Sequence, residues 1–314
     1  MKKIFFFIVI IFCTKMLNAQ QEAHFTQFMY NKLFVNPAFA GAREVPSIMV
    51  LHRSQWIGFE GAPTSQFIAF DTPFSNNRAG FGATLYRDKI GINENLLANL
   101  SYSYSLIQNE KTSLKLGLQG SVKRYTFNFN DPTTIIKQTG DPSVQNAQNI
   151  RSVNGNVGAG LYFNHREFYI GLSCPNIYGN TLGDKNINTA KEVRHYYAMM
   201  GAMIAVSRSI DIKPAVMVKV AQHAPISIDG NLNFVFNKKV TIGASYRTGN
   251  KFSGESIDGL VHFMLSDRLG LGIAYDHSLS SLQSYNKGSI EALVRYDLGS
   301  KNNTGNFTNP RFFF

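Results

Sequence analysis

Between residues 225 and 247 the chain alternates apolar and polar side chains with a period of two, and that period admits little besides a β-strand. Ile226, Ile228, Gly230, Leu232, Phe234 and Phe236 fall on one side of an extended chain, and Ser227, Asp229, Asn231 and Asn233 on the other, because successive side chains alternate across a strand. The turn Asn237-Lys238-Lys239 interrupts the pattern. It resumes with Val240, Ile242, Ala244 and Tyr246 set against Thr241, Gly243, Ser245 and Arg247, so the unit is an antiparallel hairpin. A soluble sandwich shows the same alternation, and one hairpin does not say which solvent its apolar face meets.

The rest of the chain decides between them. Candidate strands begin near Pro46, Pro63, Arg78, Asn93, Lys111, Ser152, Glu167, Arg194, Ile210, Pro225, Lys239, Gly254, Arg268 and Lys287, about fourteen in all, most of them long enough to cross a bilayer when tilted. In one, Leu114, Leu116, Leu118 and Val122 oppose Lys115, Gln119, Ser121 and Lys123; around 195–206 both faces are largely apolar, which fits a strand with packed protein on its inner side. The connections alternate as well. Tight turns at 75–77, 109–110, 164–166, 207–209, 237–238 and 266–267 follow the even strands. Longer pieces at 55–62, 87–92, 126–151, 175–193, 248–253 and 276–286 follow the odd ones, with 222–224 the short exception. A sandwich has no reason to keep that parity, whereas an outer-membrane barrel, with periplasmic turns and external loops, does. The fold class expected is therefore all-β: a transmembrane outer-membrane β-barrel of about fourteen antiparallel strands over residues 46–298, with both termini periplasmic.

Composition agrees. The 314 residues are 44% hydrophobic, and no apolar run beyond the N-terminus is long enough for a spanning helix; strands that dilute each apolar residue with a polar one leave little hydropathy signal. Residues 1–19 combine Lys2 and Lys3, an apolar stretch and Ala19 before Gln20, and are expected to be a signal peptide. Its removal takes Cys13 and three lysines, leaving Cys174 as the one cysteine, and 28 basic against 20 acidic residues, or +8. No internal disulfide is then available. The charges are scattered along the sequence with no basic run, which suits anionic lipid head groups or an acidic partner rather than nucleic acid.

Between the signal and the first strand, residues 20–45 are too short for a domain and are expected to lie in the periplasm or enter the barrel as a plug. They carry Gln27-Phe28-Met29-Tyr30-Asn31 and Val35-Asn36-Pro37-Ala38-Phe39-Ala40-Gly41, followed by Arg53-Ser54-Gln55-Trp56, Gly61-Ala62-Pro63-Thr64, Gly80-Phe81-Gly82-Ala83, Asp88-Lys89-Ile90-Gly91 and Ser103-Tyr104-Ser105. In this order and spacing the chain resembles the PorP/SprF family of outer-membrane proteins associated with type IX secretion and gliding motility. The resemblance implies a non-enzymatic protein of the outer membrane. It would dock secreted adhesins or periplasmic machinery, including ring and peptidoglycan-binding proteins, through turns, termini or external loops. Asn31, Asn36, Pro37, Gly41, Arg53, Gln55, Trp56, Gly61 and Pro63 are the residues through which it points to structural or partner-binding roles. A channel for hydrophobic or small solutes is the alternative.

No constellation points to catalysis, a cofactor or a metal. The histidines lie on separate elements without zinc spacing. Asp88 with Asp276, or His277 with Ser278, are the pairs from which a rim hydrolase site could be built, and solvated loop residues explain them more simply. Gly80, Gly82, Gly158 and Gly160 lie within strands and read as space for bends or lumen contents rather than phosphate loops. Asp131-Pro132 and Asp141-Pro142 bracket a polar loop. Tyr86, Tyr125, Tyr246 and Tyr275 stand near strand ends, as an aromatic girdle would. Trp56 fits either an outer-girdle anchor or a contact with the N-terminal segment. Residues 299–314 are expected to form a periplasmic tail ending in Phe314, the candidate insertion signal.

Overall fold

Fourteen strands follow one another around a single sheet. In a computed structural model, which describes residues 24–75, 77–129, 150–180, 192–222, 224–248 and 255–298, they are β1 Ser47–Ser54, β2 Thr64–Phe74, β3 Ala79–Ile90, β4 Asn93–Gln108, β5 Thr112–Phe127, β6 Ile150–His165 and β7 Phe168–Cys174. The second half comprises β8 His195–Ala202 with its continuation Ile204–Ala205, β9 Ile210–Ala221, β10 Ser227–Phe236, β11 Val240–Arg247, β12 Ser256–Met264, β13 Leu269–Ser278 and β14 Ser289–Asp297. Every strand pairs antiparallel with its sequence neighbours, and β1 pairs with β14 from Ser47 opposite Asp297 to Ser54 opposite Ile290. The sheet is closed. Closure leaves no edge, so each strand's backbone polar groups find partners without water, the condition for crossing a bilayer.

The alternation seen in the sequence becomes the difference between outside and inside. Leu85, Leu118 and Ile273 point outward and are 54%, 57% and 61% exposed, whereas Ser103, Asn233 and Glu291 point inward and are fully buried. A water-soluble fold would bury the first set and expose the second. Lipid outside makes this inverted arrangement favourable.

The connections that follow even-numbered strands lie at one end of the barrel, all of them short, and those that follow odd-numbered strands, most of them longer, lie at the other. One expectation fails: residues 87–92 are no loop, because β3 runs through Ile90 and β4 starts at Asn93. Gly91 there takes a φ of 54°, which lets the chain reverse in two residues. The expected girdle is also split. Tyr246 and Tyr275 face out, but Tyr86 and Tyr125 face in, since each falls on the inward phase of its strand beside an outward neighbour. The expected signal at 1–19, the tail at 299–314 with Phe314, and Asp131, Pro132, Asp141 and Pro142 lie outside the described residues.

Candidate functional site

Residues 24–45 run along the inside of the ring. A short helix, α1 Lys32–Val35, leads into a 3-10 turn, Pro37–Phe39, and nearly every side chain from Phe25 to Ala42 is buried. Asn36 joins the two turns: its side-chain oxygen accepts the Ala38 N–H at 2.9 Å, and its amide donates to Leu161 O at 3.0 Å on β6. Pro37 supplies the first position of the turn, where no N–H is needed.

Two ionic groups hold the start of the segment at the long-loop end. Arg53, late in β1, donates to Asp276 on β13, to Glu291 on β14 at 3.3 Å and to the Thr26 hydroxyl at 3.1 Å. Glu291 in turn accepts the backbone N–H groups of Thr26 and Gln27 at 3.0 and 2.9 Å. Beside this, Asp229 on β10 receives Arg247 at 2.6 Å and Lys219 at 2.9 Å. Lys219 also donates to Nδ1 of His24 at 2.7 Å, and Arg247 to the Phe25 carbonyl at 3.3 Å. Loss of water around the imidazole, with the Lys219 and Arg247 charges beside it, holds His24 well below its ordinary pKa. The sequence leaves two places for this segment, the periplasm or the inside of the barrel, and the described residues follow the second. Its first described residues meet the ends of β1, β9 and β13, where the longer loops are.

The middle of the segment packs on aromatic rings. Phe34 stands edge-on to Phe25 at 5.1 Å, to Phe67 at 5.4 Å and to Tyr86 at 5.1 Å, the geometry that places a ring's positive edge on its neighbour's face. Lys32 is buried among aromatics, its ammonium 3.7 Å from the Tyr169 ring centre and 5.3 Å from that of Phe39. The ring faces supply this ammonium with some of the attraction that water would otherwise give.

At the short-turn end, the Gly41 N–H donates to Asp71, while Ser103 and Lys115 donate to the Ala40 carbonyl at 2.6 and 2.9 Å. Arg43 pairs with Asp297 at 3.3 Å as the chain leaves for β1. The wall makes room for this path. A Cβ on Gly117 would overlap the Ala38 backbone, and one on Gly160 would overlap the Asn36 oxygen.

Of the residues singled out by the sequence, Asn31, Asn36, Pro37 and Gly41 lie in the segment and Arg53 faces it. Asn31 is buried, and among the described residues its side chain finds no hydrogen-bond partner. Gln55, Trp56, Gly61 and Pro63 belong instead to the β1–β2 loop at the rim, where Gln55 N–H donates to Pro63 O at 2.9 Å and Trp56 N–H to the Ser289 hydroxyl at 3.3 Å. Lys32, Lys219, Asp229, Arg247, Asp276 and Glu291 were missed as a group. Most of them carried one local signal, a charge on the polar, inward phase of a strand. The hydrolase pairs do not assemble: His277 faces out and Ser278 in, Asp88 is held by Ser65 at 2.6 Å, and Asp276 is taken up by Arg53 and Thr26. Among the described residues no cluster of metal-binding side chains is found.

A closed antiparallel ring, apolar outside and polar inside, defines an integral β-barrel membrane protein. The chain belongs to the PorP/SprF family of type IX secretion system membrane proteins, whose sequence pattern matches residues 17–296. Among solved structures it is similar to the Ralstonia pickettii toluene transporter TbuX, with a TM-score of 0.51 at 10% identity over 87% of this chain and 93% of that one. The P. putida toluene transporter TodX gives 0.49 at 9% identity, covering 86% and 95%. Omp33 of Acinetobacter baumannii gives 0.46 at 8% identity, covering 81% and 99%. At such identities the likeness extends to the barrel fold alone. No curated protein sequence matches significantly.

Proposed function

We propose that this protein is a non-enzymatic component of the type IX secretion or gliding machinery, integral to the outer membrane, where it docks secreted adhesins or periplasmic machinery proteins. The observation that carries the reading is the occupied lumen. Residues 24–45 are bonded to the wall at both ends and packed on it between, so the barrel works as a closed scaffold that offers its turns, termini and loops for binding. Family membership supplies the machinery. A solute channel is the competing reading, and a filled lumen weighs against it.

The test is co-purification from native outer membranes in mild detergent after brief crosslinking, read by mass spectrometry. Type IX ring, peptidoglycan-binding or adhesin proteins are expected with the barrel. A barrel that comes alone, and that conducts ions in a planar bilayer, overturns the docking reading in favour of the channel.

A further inference from the structure

The basic residues that look scattered in the sequence come together on the outer wall. Strand register sets Arg87 opposite Leu96 and Leu96 opposite Arg124; one outward position further toward the long-loop end, Lys89 faces Glu94 and Arg151 faces Thr126. Arg87, Lys89, Arg124 and Arg151 all stand on the outward phase of β3, β5 and β6, and among the described residues Glu94 is the one acid on the outward positions between them. Arg87 donates to Glu94 at 2.7 Å, and the guanidinium groups of Arg124 and Arg151 add positive charge beside that pair. Toward the same end, the outward positions of the last four strands are Tyr246, Ile257, Tyr275, His277 and Ile290; among these there is no lysine or arginine, whereas β3, β5 and β6 carry four on theirs.

Directly below them on the same strands the wall is hollow. Leu85, Ala98, Val122 and Gly155 form one cross-strand row and Ala83, Leu100, Gly120 and Val157 the next. Large and small side chains alternate, and the small ones open a concavity of about 840 Å³ that Tyr178 borders. Its lining is almost wholly apolar, and it starts about 7 Å, two residues of strand rise, below Arg87 and Arg124. Arginine is costly in the bilayer core and cheap at its edge. The change from Val122 to Arg124 therefore marks where acyl chains give way to head groups, and the concavity is on the acyl side.

We propose that this sector binds one phosphorylated, multiply acylated glycolipid of the outer leaflet, with acyl chains in the hollow and phosphate against Arg124, Arg151 and Arg87. Charge complementarity selects this occupant: an uncharged lipid fills the hollow but leaves the cations unused. The site is assigned from the fold and is independent of the docking role.

The full-length barrel in non-ionic detergent is to be titrated by native mass spectrometry with a monophosphorylated glycolipid of the lipid A class, with its dephosphorylated counterpart and with phosphatidylethanolamine. Preferential retention of the phosphorylated form is expected. The double variant Arg124→Gln/Arg151→Gln is expected to lose affinity for it by about 30-fold, as two surface cations contribute; Arg124→Lys/Arg151→Lys keeps most of it. Gly120→Leu, which fills the hollow, weakens the phosphorylated and dephosphorylated forms alike. Because these side chains face away from the lumen, heat-modifiable gel mobility should stay that of the parent. Equal binding of the phosphorylated and dephosphorylated glycolipids overturns the proposal. So does parental affinity in the Gln variant, or a protein rather than a glycolipid captured by a photo-crosslinker at position 124.

Discussion

Arg53 and Glu291 face each other directly across the β1–β14 seam, 3.3 Å apart, at the place where the first and last strands close the ring. The same carboxylate receives the Thr26 and Gln27 N–H groups. Barrel closure and the anchoring of the segment therefore share one ionic group.

Removing Arg53 leaves Asp276 and Glu291 buried together without their cation. Breaking a buried pair in this way costs about 3–5 kcal/mol. Arg53→Met is expected to lower the urea midpoint of vesicle-inserted barrel accordingly, and Arg53→Met/Glu291→Leu to recover part of the loss. A single variant as stable as the parent would show the pair to be dispensable.

His24 makes the segment's anchorage depend on pH. Its folded pKa is depressed below the ordinary 6.5, so at acid pH the released segment binds a proton that the docked one refuses, and docking weakens as pH falls below that value. Corrected for the intrinsic amide rate, which itself slows in acid, hydrogen-exchange protection over residues 25–45 should fall between neutral pH and pH of about 5. In His24→Asn this dependence should flatten; an unchanged profile in the variant would assign it to other groups.

Gly117 and Gly160 face the segment with no room for a side chain. Gly160→Val is expected to push Asn36 off the wall at an overpacking cost of about 1–3 kcal/mol and to expose the segment to protease. Gly259→Ala, where an added Cβ meets nothing within 4 Å, serves as the control and should behave as the parent.

Asn36 both caps the 3-10 turn and ties the segment to β6. Asn36→Ala should cost about 1–3 kcal/mol, because the Leu161 carbonyl and the Ala38 N–H lose a partner where water is scarce. Thermal melting of the detergent-solubilised protein measures it, and a loss confined to a few tenths would mean that water replaces the amide.

A filled lumen predicts silence in a planar bilayer. The full-length barrel is expected not to conduct, and a variant lacking residues 24–45 to conduct once its gel mobility shows that it has folded. Steady conductance of the parent would place an open path beside the segment.

The sequence read alone located every strand start to within about two residues, since a period of two is a local property that a few consecutive side chains reveal. Phase errors arose where local cues competed. Tyr86 and Tyr125 resembled girdle residues by type and position near strand ends, but their phase turned them inward. Residues 87–92 resembled a loop because polar side chains also suit strands that rise above the membrane. Tertiary structure decided what the alternation leaves open. Asp276 is 250 positions from Thr26 and 223 from Arg53, and His24 is 195 positions from Lys219. Only closure of the ring brings them to one end, and only the width of the closed lumen lets residues 24–45 pass through it. Strand identity follows from neighbours in the chain; the occupant of the lumen follows from contacts between distant segments, which no short stretch of sequence encodes.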